Sequence, residues 1–329
     1  MFEPARQAAF AKDAENESAL VDLQRQLAPV HAQLVALHAH AEPPLVFVIG
    51  MARSGTTLVS QLFAACGFAY TSNFVARFWQ VPTVGVLIEK LALKPGPDTA
   101  PSFLSTHGVT AGWAEPHEFG YFWNRWFDLG QDSHQLDSAT LARVDVRALK
   151  RELAALQAIA GPPLMFKNNT WCSLQARFLA ALCPRAIFVV CRRQPQWIAQ
   201  SLLQARMARY GSRESWWSIR PATYATLQPL PWAEQIARQV VDFDLAMNLE
   251  LQQIDSARIV EASYEDVCAN PARIVALSSE ALRRLDSIHT PDFSALPPSF
   301  ASSDHQQVSN EDWRALREAL ARTKNQRDP

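Results

Sequence analysis

The stretch Leu45-Val46-Phe47-Val48-Ile49-Gly50-Met51-Ala52-Arg53-Ser54-Gly55-Thr56-Thr57-Leu58-Val59 carries the architecture of this chain. Its first five residues are a continuous apolar run rich in β-branched side chains, the pattern of a strand buried on both faces of a parallel sheet. Leu58, Val59, Leu62 and Phe63 then recur at helical spacing, so strand, glycine-bounded loop and helix follow in immediate order. The backbone N–H groups of such a loop and the amino terminus of the helix it opens together cradle an anion. Hydroxyls from Ser54, Thr56 and Thr57 add to the cradle, and Arg53 supplies a cation inside it. The frame Gly50-x-x-x-x-Gly55-Thr56-Thr57 is that of a phosphate-binding loop, but Thr56 stands where a nucleoside triphosphatase carries Lys. Without that Lys, which neutralises the β and γ phosphates, ATP or GTP hydrolysis is disfavoured.

Outward from this stretch, Ala186 to Cys191 reads as a second strand of the same kind, with Pro163 to Lys167 and Arg258 to Ala262 as further strands. Helical patterns lie between them at 142–160, 173–182, 197–208, 232–254 and 271–285. Strands alternating with helices predict an α/β fold, a P-loop-like parallel sheet flanked by helices on both faces. Neither an internal repeat nor a low-complexity linker divides the chain, so residues 43–329 are expected to form one domain. Residues 1–42 form an amino-terminal helical arm, with Leu20, Leu23, Leu27, Val30, Leu34 and Leu37 as its apolar stripe. Pro29 removes a helix donor within that stripe, which predicts two helices or one kinked there. The arm either packs on its own domain or joins two copies as a homodimer.

Composition excludes whole classes. The 329 residues are 48% hydrophobic and 19% charged, which rules out a disordered chain. A formal net charge of -1 argues against a globally basic nucleic-acid binder. One local imbalance remains: residues 177–220 hold eight Arg, no Lys and a single acid, Glu214. Its expected role is to collect a small, highly charged ligand. The five cysteines lack a C-x-x-C pair or a His at zinc spacing, and read as reduced core thiols of a cytoplasmic protein with no metal. No run reaches the roughly 18 apolar residues of a membrane span, and the first residues lack the apolar core of a signal peptide.

Strand-GMARSGTTL-helix resembles the 5'-phosphosulfate loop of the sulfotransferases that use 3'-phosphoadenylyl sulfate (PAPS), in the Arg-Ser-Gly-Thr-Thr form of tyrosylprotein and many bacterial enzymes. The resemblance implies that Gly50, Met51, Ala52, Arg53, Ser54, Gly55, Thr56 and Thr57 hold the 5'-phosphate, with Arg53 on the transferring sulfuryl group. Three further stretches match in the family's order. Arg193-Gln194-Pro195, with Ser201 eight residues beyond Arg193, resembles the 3'-phosphate site, departing from it at Gln194, where Asp is usual. Phe166-Lys167-Asn168 resembles the strand-end Lys that contacts the sulfuryl or leaving-group oxygens. Ser263-Tyr264-Glu265-Asp266-Val267 resembles the motif whose Tyr approaches the nucleotide, here Tyr264. The implied activity is transfer of a sulfuryl group from PAPS to a hydroxyl or amine, with 3',5'-adenosine bisphosphate (PAP) as product and no metal required.

That reaction needs a base for the acceptor's proton, which in the family is a Glu or His outside the nucleotide motifs. Trp113-Ala114-Glu115-Pro116-His117-Glu118-Phe119-Gly120-Tyr121-Phe122-Trp123 is the candidate stretch. Among five aromatics a carboxylate pKa is expected to rise by desolvation. Glu118 ranks first, then Glu115, then His117, against the alternative that a Glu here merely pairs with an Arg. Arg and aromatic residues between Arg206 and Trp232 suit a small-molecule or glycan acceptor, a carbohydrate or lipid-linked glycan ahead of a small phenol, or else form a packed lid. Two other readings stay open: an atypical P-loop nucleotide kinase, and a catalytically silent sulfotransferase-like binding module.

Overall fold

The computed structural model describes residues 14–38, 42–93, 100–106, 108–128, 132–161 and 163–326. The expected lack of a signal peptide falls on residues outside these, as do parts of the 1–42 arm. Five strands, β1 (Leu45–Gly50), β2 (Ala69–Tyr70), β3 (Leu164–Lys167), β4 (Ala186–Arg192) and β5 (Ile259–Ser263), form one sheet in the order β2-β3-β1-β4-β5. All four pairings are parallel, and helices cover both faces.

Alternation along β1 builds the two cores. Leu45, Phe47 and Ile49 point to one face and Val46 and Val48 to the other, all with no solvent exposure. In register, Phe47 lies opposite Phe166 of β3 and Phe188 of β4, and its ring stacks on both at 5.9 and 5.3 Å. The larger core takes in the helices Gly120–Phe127, Val146–Ala160, Pro195–Tyr210 and Trp232–Leu251. Thr56–Ala65 and Pro271–Arg283 cover the smaller one.

One expectation is revised and one helix is added. The predicted 173–182 helix is two short ones, Trp171–Leu174 and Ala176–Leu182. The Asn310–Asn325 helix, which packs on Trp232–Leu251, is not anticipated by the strand and loop motifs. The arm is a single helix, Ala14–His38, with Pro29 inside it. Pro29 is exposed, so water can satisfy the carbonyl it leaves unpaired.

The buried side of the arm also differs from the apolar stripe. Leu23, Val30 and Leu37 face solvent, whereas Gln24 is buried and His31 half-buried. Polar contacts select this rotation: Gln24 accepts from the Gln80 amide at 2.8 Å, and His31 bridges Thr83 (2.6 Å) and Glu152 (3.0 Å). Arg125 and the Trp126 indole converge on the same Glu152 carboxylate. The arm therefore docks on its own domain through hydrogen-bonded polar groups as well as Leu27 and Leu34.

Candidate active site

In a parallel sheet all carboxyl ends lie on one edge, and ligands bind where the connections leave in opposite directions. Here β1 is central, with β3 on one side and β4 on the other. Gly50 ends β1, Lys167 ends β3, Arg193 follows β4 and Tyr264 follows β5, so four motifs far apart in the chain meet at that edge.

The loop after β1 is held by backbone conformations that glycine permits. Gly50 has φ 144° and Gly55 φ 98°; a Cβ would lie 2.6 Å from the Cys191 carbonyl oxygen at the first and 2.8 Å from the Tyr264 ring at the second. The Ser54 amide donates to the Met51 carbonyl at 3.1 Å, and the Gly50 amide to Ser173 Oγ at 3.1 Å. No described side chain caps the helix that follows: Gly55 offers no side-chain acceptor and the first turn has no acid. Ser54 Oγ is buried with no hydrogen-bond partner among the described residues. Uncapped amides at a helix amino terminus are what an anion would satisfy.

Arg53 sits in the left-handed region at φ 76° and donates from Nε to Ser201 Oγ at 2.8 Å. Burial and then the neighbouring Arg193 lower its pKa to about 10, so it stays charged at neutral pH as an underneutralised cation. Arg193 spans the Arg53 carbonyl (3.0 Å), Ser303 and Asp304, and lies 4.3 Å over the Tyr264 ring. Its helix starts at Pro195, as the spacing to Ser201 requires.

Opposite the loop, Lys167 Nζ donates to Glu118 Oε1 at 2.5 Å. The Lys167 side chain is 3% exposed and that of Glu118 41%, so the amine is buried in the cavity wall while the carboxylate opens to the cavity. Burial pushes the Glu118 carboxyl up, but Lys167, with His117 and Arg209, outweighs it and holds the pKa below the usual carboxylate value. The expected upward shift in an aromatic environment is therefore corrected: the ammonium beside it wins.

The other two candidates for the base are placed differently. Glu115 is 5% exposed, accepting from Gln61 Nε2 (2.9 Å) and the Ser102 amide (2.6 Å), and it does not reach the cavity. It ties the loop helix to the 100–106 segment. His117 lines the cavity, but its Nδ1 accepts from the Phe119 amide at 2.9 Å, which leaves the proton on Nε2. In that tautomer it is a donor toward the cavity.

One cavity of about 1140 Å³ joins Arg53, Thr57, Lys167, Glu118, Arg193, Ser201 and Tyr264. Ala52, Gly55 and Thr56 also line it, while Gly50, Met51 and Ser54 lie behind, shaping the turn. Its far wall carries Tyr121, Trp171, Arg209 and Trp217, with Arg209 5.3 Å over the Trp217 ring.

The Arg-rich segment is mostly structural, contrary to the expectation of one concentrated positive site. Of its eight Arg only Arg193 and Arg209 line the cavity. Arg206 has no exposure and bonds Gln235, Gln239 and the Arg213 carbonyl. Arg185 staples the Glu42, Leu285 and Asp286 carbonyls, Arg192 pairs with Asp244 and Glu261, and Arg213 with Asp312.

Two contributors escape the motif reading. Asn168 has no exposure; its Nδ2 donates to the Glu118 carbonyl at 2.9 Å and its Oδ1 accepts from the Trp171 amide at 2.6 Å. It thereby fixes the backbone of the carboxylate beside Lys167, helped by Phe119 in a left-handed conformation at φ 54°. Its position next to Lys167 is the available signal. Ser303 and Asp304, which hold Arg193, come from an irregular carboxyl-terminal segment with no motif.

No curated protein matches the sequence. Among solved structures, the sulfotransferase STF9 from Mycobacterium avium is 15% identical, with 91% of this chain and 72% of that one covered and a TM-score of 0.50. The sulfotransferase STF1 from Mycobacterium tuberculosis H37Rv is 18% identical over 92% and 81%, with a TM-score of 0.47. At the first of these the likeness is one of fold. Residues 44–277, running from the start of β1 into the Pro271–Arg283 helix, match the profile described as the Sulfotransferase family, so this chain belongs to the sulfotransferase family.

Proposed function

We propose that the protein transfers a sulfuryl group from PAPS to an acceptor hydroxyl or amine, and releases PAP. The observation that carries this reading is the meeting, in one cavity, of an uncapped helix amino terminus, the cations Arg53, Lys167 and Arg193, and a carboxylate paired to Lys167. PAPS supplies the activated sulfuryl group. The loop amides, Thr56 and Thr57 hold its 5' end, while Arg193 and Ser201 hold the 3'-phosphate and Tyr264 lies against the nucleotide. Arg53 and Lys167 neutralise charge that grows on the sulfuryl and leaving-group oxygens, a field of fixed donors in a water-poor site.

Glu118 takes the acceptor's proton. It is ionised and open to the cavity, and Asn168 holds its backbone in place. His117 lines the same cavity beside it. The aromatic wall of Tyr121, Trp171 and Trp217, with Arg209 at its edge, suits a carbohydrate or other small-molecule acceptor that can stack. We place the reaction in the cytoplasm, where the five cysteines, all buried and unpaired, would stay reduced.

The test is thermal unfolding with PAP and, separately, with ATP and magnesium. PAP at about 100 times its Kd is expected to stabilise the fold by about 2.7 kcal/mol, and ATP with magnesium not at all. Stabilisation by ATP with magnesium alone would favour the kinase reading. PAP binding without sulfate transfer to a broad acceptor panel, and with no effect of Glu118→Gln, would favour a silent binding module.

A further inference from the structure

Arg193, proposed above to hold the 3'-phosphate, has every nitrogen of its guanidinium engaged. Nε and one terminal nitrogen both converge on Asp304 Oδ1, at 2.7 and 2.5 Å. The same terminal nitrogen reaches Ser303 Oγ at 3.0 Å, and the other donates to the Arg53 carbonyl. The Arg193 and Asp304 side chains are 7% and 11% exposed, so the pair is closed to water.

The pairing is incomplete on the acid side. An Arg–carboxylate contact optimised for structure is a fork on a fork, with each oxygen on its own N–H. Here Oδ1 takes both bonds while Oδ2 is buried with no partner among the described residues. A buried oxygen left this way carries a desolvation cost that no interaction repays. A phosphate would bring several acceptor oxygens to the same nitrogens and the same serine hydroxyl.

Asp304 is presented by a segment that lies outside the sheet and its helices. Residues 287–309 contain no helix or strand. The segment packs Leu296 and Phe300 on the smaller core and Val308 on the larger, and is further held by polar contacts: the Phe300 amide on the Cys268 carbonyl, Gln200 bridging the His305 carbonyl and the Gln307 amide, and Ser303 Oγ 3.0 Å from the Tyr264 hydroxyl. Moving Asp304 away from Arg193 disturbs none of the sheet.

We infer that Asp304 is a built-in anion occupying the 3'-phosphate position on Arg193, a role that rests on the assignment of that phosphate to Arg193. Donor binding is then an exchange of one anion for another, and Asp304 is a specificity-determining residue that sets how far the protein prefers a 3'-phosphorylated nucleotide over one without that phosphate. A nucleotide ending in a 3'-hydroxyl leaves the pair intact and feels no competition. One carrying the 3'-phosphate must displace the carboxylate, which holds its affinity down and speeds product release.

Isothermal titration of the full chain with PAP and with adenosine 5'-monophosphate tests this in wild type, Asp304→Asn, Asp304→Ser and Arg193→Ala. Removing the acid is expected to tighten PAP about 10-fold or more and to leave adenosine 5'-monophosphate within about twofold. The ligand-free Asp304→Asn protein should melt below wild type, because Arg193 is left unpaired, and PAP should close that gap. Near-ultraviolet circular dichroism checks that the variants are folded. Weaker PAP binding in folded Asp304 variants would make Asp304 a residue that positions Arg193 and overturn the inference, as would no change or equal change for both nucleotides. Wild type that does not bind PAP, or Arg193→Ala that keeps wild-type preference for PAP, would overturn the 3'-phosphate reading and this inference with it.

Discussion

Glu118 shows how one neighbour settles the state of a side chain. Surrounded by aromatics, its carboxyl would rise; with the Lys167 ammonium at 2.5 Å it falls below the ordinary value instead. A group whose folded pKa is depressed stabilises the fold above its unfolded pKa, and that contribution is lost as pH falls through the depressed value. For the free enzyme Glu118 is therefore ionised throughout the neutral range. The profile of kcat/KM should be flat from pH 8 down to about 5, and Glu118→Gln should lower it by about 10² or more while PAP affinity holds. An acid limb centred near the ordinary His value would assign the base to another group. Asn168→Ala tests the support: kcat should fall while the acceptor KM and donor affinity change little, and Asn168→Asp, which keeps the Oδ1 acceptor but not the donor to Glu118, should not restore it.

Strand ends and loops convert these side chains into a site. The Gly55 backbone at φ 98° fits against Tyr264 with no room for a Cβ, which would lie 2.8 Å from the ring. Gly55→Ala should therefore destabilise the protein by about 1–3 kcal/mol in denaturant unfolding and also weaken PAP, since both the turn and the ring must shift. The Pro195–Tyr210 helix divides labour along its length. Arg206 is fully buried and holds Gln235 and Gln239, whereas Arg209, less than one turn on, faces the cavity. Arg206→Ala should cost several kcal/mol, roughly 3–5, by stranding those partners, with little change in PAP affinity per folded molecule. Arg209→Ala should lower acceptor kcat/KM and cost less stability in thermal unfolding than Arg206→Ala. The arm is a further case at this level: a leucine pattern fits more than one helix rotation, and the hydrogen bonds of Gln24 and His31 choose among them.

Across the molecule, overall charge says little about the site. The net charge is -1, and most of the Arg-rich segment serves as carbonyl staples and ion pairs away from the cavity. The cations that gather at one sheet edge are Arg53, Lys167 and Arg193, beside a helix terminus and partly shielded from solvent. PAP affinity should consequently fall with added salt less steeply than for a ligand on an exposed basic face, because buried charges are screened less; titrations between about 50 and 500 mM salt measure the slope. The parallel sheet, two-sided burial of β1 and the glycine-bounded turn from β1 into its helix were all legible in the chain, because period, glycine spacing and β-branched runs are local properties that survive without knowledge of partners. The same holds for Lys167, Arg193, Ser201 and Tyr264 as strand-end or helical positions. Partners were not legible. Lys167 pairing with Glu118, Glu115 turning away to hold Gln61 and Ser102, Arg206 buried while Arg209 is open, and Asp304 reaching Arg193 across 111 positions all depend on which distant atoms packing brings within hydrogen-bond reach. Charge state and role follow from that proximity, since burial and a neighbouring ion shift a group by more than its own chemistry does.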